Sequence, residues 1–89
     1  MPKLRSFANF NVIMFARDHA PPHIHCKGPD IDGTILIRTL ENDRGIIPTS
    51  ALVLAVAFVA TYQAELLDVW EAYAAGEAPD LNVFGNGRV

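Results

Sequence analysis

The sequence predicts an α+β domain: a small, mostly antiparallel three-stranded sheet, followed by one long kinked helix or two consecutive helices packed on one face of it. Three observations carry that prediction. Short β-branched and aromatic segments, broken by Gly, Pro, Asn and Asp, fill residues 1–47. From Thr49 to Ala75 there is neither Gly nor Pro. The chain has 89 residues, 51% of them apolar, which makes a single domain, 1–89, with enough apolar mass for a core but a small core for its surface.

The first strand is expected over about 7–16. Its centre, "FNVIMFA", is apolar on both parities, so both faces are at least partly covered. "RDHAPP" is a connector, because Asp18 favours an Asx turn and prolines cannot donate to a ladder. The second strand is His23–Lys27, "HIHCK", with strict alternation. "GPDIDG" reads as a hairpin loop and Thr34–Leu40, "TILIRTL", as the third strand. "ENDRG" reads as another turn.

A helical region follows over about 48–75. Pro48 suits the first turn and Gly76 suits the C-terminal cap. A continuous helix of that length would span about 42 Å, against a radius of gyration of about 12 Å for a domain of this size. A break near Thr61–Gln63 resolves the mismatch. After it, Tyr62, Leu66, Val69, Trp70 and Tyr73 form an apolar stripe expected in the core, with Glu65, Asp68 and Glu71 opposite. Before it, Ala51–Ala60, "ALVLAVAFVA", is apolar all round and needs burial on every side. One small sheet cannot supply that, so the chain is expected to be a homo-oligomer, a dimer, with Val56 and Val59 at the interface. The tail, 77–89, either adds a short strand through Leu81–Phe84 or simply packs.

Several function classes fall away on composition. The run Ala51–Ala60 is half the length needed to span a bilayer, and no apolar segment follows "MPKLRSF" in the manner of a signal peptide. A single cysteine allows no internal disulfide, so a reducing, cytoplasmic setting is expected. The net charge is −3, and the C-terminal half carries only Arg88 against Glu65, Asp68, Glu71, Glu77 and Asp80. No basic helix exists to lie along phosphates, which argues against nucleic acid as a partner, even with Arg17, Lys27 and Arg38 near the sheet.

The chemistry concentrates in "FARDHAPPHIHCKGPD". All three histidines and the only cysteine fall between Phe15 and Cys26. Alternation sends His23, His25 and Lys27 to one face of their strand, and Ile24 and Cys26 to the other, toward the helices. The two imidazoles are then on the open face, close enough to share a divalent transition metal. His19 or Asp18, returning through the Pro-Pro turn, supplies a third ligand, leaving an open position as zinc and iron sites do. The blander reading is a histidine-rich turn that packs and hydrogen-bonds without metal, since H-x-H alone is a weak motif. A thiol nucleophile is disfavoured because Cys26 points away from His25. "DIDG" fails as a calcium loop, since the twelfth position would be Thr39 rather than an acid.

The same segment is where the chain resembles a known family, the small bacterial family catalogued as domain of unknown function 4160. Its members open with Met-Pro, continue with D-H-x-P-P-H-x-H and G-x-I/L-P, and end a helical region with LL-x-x-W. Here these are Met1-Pro2, Asp18 to His25, Gly45-Ile46-Ile47-Pro48 and Leu66 to Trp70. The resemblance runs from Met1 to about Gly76 and brings no activity with it. It implies a two-protein, toxin–antitoxin-like arrangement with a small protein partner encoded nearby. Members often carry polar residues in the first helix; "ALVLAVAFVATYQ" departs from that and strengthens the expectation of an oligomer.

The expected function is a binding module rather than an enzyme, with a face built from Asp18, His19, Pro21, Pro22, His23, His25 and Lys27. No cofactor is required by that reading; a metal held by His23, His25 and His19 is the candidate. The alternative is a metal-dependent hydrolase or nuclease using the same cluster.

Overall fold

The computed structural model describes residues 3–87; Met1-Pro2 of the family motif and the last two residues of the tail lie outside the described residues. Eight elements follow in order: β1 (Lys3–Ser6), β2 (Asn11–Ile13), β3 (His23–Gly28), β4 (Ile31–Leu36), β5 (Asn42–Ile46), α1 (Thr49–Thr61), α2 (Gln63–Ala74) and a short 3-10 helix (Asn82–Gly87). The α+β class stands, but the sheet has five strands rather than three, in an antiparallel meander β1-β2-β3-β4-β5.

Both added strands are edges, and their composition hides them. β1 is "KLRS", with only Leu4 buried, and β5 is "NDRGI", exposed throughout. Edge strands carry charge and irregularity because an apolar, regular edge invites pairing with other chains. In β5 the turn-forming residues serve the sheet instead. Asn42 Nδ2 donates to the carbonyls of Thr34 (3.0 Å) and Arg44 (2.9 Å). Gly45 adopts φ +74°, and a Cβ there would collide with the carbonyl oxygen of Asp32.

The first predicted strand divides. Phe7 N–H donates to Phe10 C=O (2.8 Å), so "FANF" is the turn between β1 and β2, with the Phe7 and Phe10 rings stacked. The third predicted strand begins earlier and ends sooner, at Ile31–Leu36, because the hairpin after Gly28 uses only Pro29 and Asp30. Gly33 belongs to β4, where Ile47 packs too close for a side chain.

The helical region breaks at Tyr62, whose φ −113° and ψ 25° end α1 and start α2, and the two helices meet at 80°. Two side chains fix the break. Thr61 Oγ1 bonds back to Ala57 C=O, and Gln63 Nε2 donates to Ile37 C=O and Arg38 C=O, tying the start of α2 to the end of β4. Gly76 takes φ +77° just beyond α2. Of the two alternatives for the tail, a short strand through Leu81–Phe84 or simple packing, the second holds, as a 3-10 turn. There Arg5 stacks on Phe58 and Tyr62 and donates to Phe84 C=O, seating the buried Phe84 ring.

The core lies between the sheet and the helices. Val12, Ile24, Cys26 and Ile35 meet Ala55, Phe58, Val59 and Leu66, within a radius of gyration of 11.9 Å. Two expectations about the helices change. Leu66 and Val69 are buried, but Tyr62, Trp70 and Tyr73 are only half-buried, because α2 lies over the end of the sheet. In α1, Val59 is fully buried inside the chain itself and Val56 is half-buried, whereas Val53 and Leu54 are 63% and 49% exposed. The bend carries α2 away, so the outer side of α1 stays uncovered. Among the described residues no single helix is long and apolar enough to cross a membrane.

Candidate metal centre

The connector 14–22 brings Asp18 back over the start of β3. Asp18 is fixed there by its own turn, in which Oδ1 accepts the backbone N–H of His19 (3.1 Å). β3 then alternates. Ile24 and Cys26 enter the core, while His23 and His25 rise on the other face toward Asp18. His23 Nε2 stands 2.9 Å, and His25 Nε2 2.7 Å, from the same oxygen, Asp18 Oδ2. One ligand atom from each of Asp18, His23 and His25 lies within 4.8 Å of the others.

The surroundings hold both rings. His23 Nδ1 donates to Pro21 C=O at 2.8 Å; the Ala20–Pro21 peptide is cis. His23 packs against Trp70 with ring centroids 5.3 Å apart, and His25 meets the Phe15 ring edge-on at 4.6 Å. The histidines are therefore not on an open face: His23 is only 9% exposed, covered by Trp70 and the connector. Pro22 is buried, and its carbonyl accepts Ile37 N–H, prolonging the β3–β4 pairing up to the site.

Proton bookkeeping gives this geometry its meaning. The carbonyl of Pro21 can only accept, so His23 Nδ1 carries a hydrogen. Its Nε2 lies 2.9 Å from Asp18 Oδ2. With Nδ1 committed to the Pro21 carbonyl, Nε2 is the ring atom left to bind a metal beside Asp18 Oδ2. A divalent metal satisfies Asp18, His23 and His25 together. An outer-shell bond from the far ring nitrogen to a backbone carbonyl is the usual support of a metal-binding histidine. Metal bonds of about 2.0–2.1 Å set tetrahedral ligand atoms about 3.3 Å apart, so Asp18 Oδ2 would retreat by a fraction of an ångström. The carboxylate is ready for that role. Burial pushes the Asp18 carboxyl up, but the His25 hydrogen bond, the charge of His23 and the His19 N–H outweigh it and hold the group below its ordinary 3.8.

Of the two third ligands open on sequence, Asp18 is the one brought in. The His19 side chain is 83% exposed and its Nδ1 lies 3.6 Å from Asp18 Oδ1, on the other oxygen of the carboxylate. Lys27 is also outside the cluster, bonded to Asp32 Oδ1 at 2.7 Å. Cys26 lies on the opposite face, and burial pushes its thiol up to about 12.

Three residues beyond reach of the sequence reading share the site. Cross-strand register sets Thr34 opposite His25 and Arg44 opposite Thr34. With Asp43, they close a cavity of about 140 Å3 around Asp18, His23 and His25. The Thr34 hydroxyl is nine-tenths buried and its oxygen has no hydrogen-bond partner among the described residues. An orphaned buried hydroxyl costs about 1–3 kcal/mol. The signal for these residues was the pairing of β4 with β5, which a reading of "ENDRG" as a turn conceals. A larger groove of about 580 Å3 lies at the other end of β3, between residues 7–11 and the start of α1, and gathers no metal-ligating cluster among the described residues.

Comparison with known proteins agrees with the family resemblance. The profile of the domain of unknown function family DUF4160 matches residues 9–71, most of the chain and the whole of the Asp18–His25 segment. No curated protein and no solved structure matches. With its Asp-His-x-Pro-Pro-His-x-His segment inside the matched span, the chain belongs to the DUF4160 family.

Proposed function

We propose that this protein is a small binding module whose functional face holds a divalent transition metal on Asp18, His23 and His25. One observation carries the reading: three ligand atoms converge on one point while His23 Nδ1 is already committed to the Pro21 carbonyl. Two imidazoles and one carboxylate suit zinc or ferrous iron and leave coordination positions open. The test is thermal unfolding of tag-free protein with and without zinc, nickel or manganese. A metal-dependent rise in Tm is expected in the wild type and absent in His23→Ala, His25→Ala and Asp18→Asn. No shift with any metal in the wild type would return the cluster to a purely structural role.

A second reading rests on α1. Its uncovered side, with Val53 and Leu54, has no charge anywhere along the helix, as Thr49–Thr61 contains no ionisable residue. We propose that a second copy covers this side, the half-buried Val56 joining the contact; a small protein partner encoded nearby is the competing occupant. Sedimentation of the wild type should show a dimer, and Val53→Asp a folded monomer. A wild type that sediments as a monomer at high micromolar concentration would rule out self-association.

A further inference from the structure

We infer that the open side of the Asp18–His23–His25 centre takes a phosphate group, held by the Thr34 hydroxyl and the Arg44 guanidinium with one oxygen on the metal. This rests on the metal reading above and names the class of ligand for that same site.

Three observations lead there. The first is the orphaned Thr34 hydroxyl. Thr34 is nine-tenths buried and is one of the residues that line the cavity with His25, and its hydroxyl oxygen has no hydrogen-bond partner among the described residues. A hydroxyl needs an oxygen or nitrogen to bond, and the sheet offers it none. The second is Arg44. It stands opposite Thr34 across the strands and lines the same cavity, and its exposed side chain makes, among the described residues, only a loose pair at 3.8 Å with its neighbour Asp43. Its planar fork of donors suits an oxyanion. The third is the balance of charge. With a divalent ion bound, the carboxylates of Asp18 and Asp43 are offset by the metal, and Arg44 remains in excess among the cavity residues. Without the metal the same cavity has no net attraction for an anion beyond what the histidines lend it.

Shape decides between oxyanions. Metal, hydroxyl and guanidinium come from the connector and β3, from β4 and from β5, so they approach from separate strands. Side by side on one face of the sheet, the three donors can engage three oxygens, which phosphate has and a carboxylate lacks. The cavity, about 140 Å3, is well under the ~300–1,000 Å3 of sites that enclose whole organic ligands. It accepts the phosphoryl group and leaves whatever carries that group outside.

The experiment uses full-length, tag-free protein loaded with cobalt(II), whose visible spectrum reports its own coordination. Inorganic phosphate should change that spectrum saturably, and acetate should do so more weakly. Thr34→Val and Arg44→Ala should each weaken phosphate about tenfold or more, the scale of a hydrogen bond to a charged group, without weakening cobalt binding. Asp43→Asn should tighten phosphate by removing the nearby repulsion. Cobalt binding with no saturable response to phosphate, acetate binding as tightly as phosphate, or phosphate binding indifferent to Thr34→Val and Arg44→Ala would each overturn the inference and leave the metal reading standing. Failure of the wild type to bind cobalt would overturn both.

Discussion

The two faces of β3 are made by alternate residues of one six-residue strand, yet they do different work. Ile24 and Cys26 face the helices and have no exposed surface. His23 and His25 face the connector, where their neighbours are a carboxylate, a carbonyl and two aromatic rings. The first face owes its stability to apolar burial, which is indifferent to direction. The second depends on hydrogen bonds to single atoms, which is not. The comparison teaches that a strand this short can fix chemistry on one side only because the other side anchors it in a core.

The largest effect should come from breaking the anchoring face. Ile24→Ala leaves a cavity under α1 and should destabilise by about 2–5 kcal/mol, a large share of the total for a small domain. Urea unfolding measures it. A loss under about 1 kcal/mol would mean that the core does not depend on β3. His25→Ala should be much milder on the same measurement, because its ring is not part of the core cluster.

Trp70 tests where the two faces meet. It is half-buried over the His23 ring rather than enclosed in the core. Trp70→Ala should therefore cost about 1–3 kcal/mol rather than the 3–5 of a fully buried aromatic. It should also weaken metal binding by freeing His23. Unchanged metal affinity in that variant would show that the Pro21 carbonyl alone holds the ring.

The chemical face should be the pH-sensitive one. A bound metal must displace protons from its ligands, so metal affinity should fall as pH is lowered. In the metal-free protein the relevant group is Asp18, whose folded value is lowered. Its stabilisation is complete above the ordinary 3.8 and is lost as pH falls through the lower folded value. Acid unfolding of Asp18→Asn should lack that component. The smallest effect is expected at Lys27, which is tied to Asp32 on the same face but outside the cluster. Lys27→Ala should leave metal affinity unchanged in a titration, and a clear loss would extend the site along β3.

Strong local chemistry was legible in the sequence. Alternation in "HIHCK" assigned each side chain its face, and the length from Thr49 to Ala75 left a kink or break near Thr61–Gln63, or protrusion into a partner, of which the structure has the break, at Tyr62. His19 was the third ligand named on sequence, with Asp18 as its substitute, and the structure brings in Asp18 instead, because both precede the Pro-Pro turn and only its path separates them. β1 and β5 were not legible, since an edge strand needs neither apolar alternation nor freedom from turn residues.

By itself the sequence determined the α+β class, the isolation of Cys26 from the histidines, and the clustering of ligand-type residues between Asp18 and His25. These follow from periodicity and spacing, which act over a few residues. Only the tertiary structure decided that Asp18 closes the site, that Thr34 and Arg44 join it from β4 and β5, and that Val59 is internal while Val53 and Leu54 stay uncovered. Each of those depends on register between strands or on the angle between helices. Such quantities are set by the fit of distant segments, and no local pattern contains them.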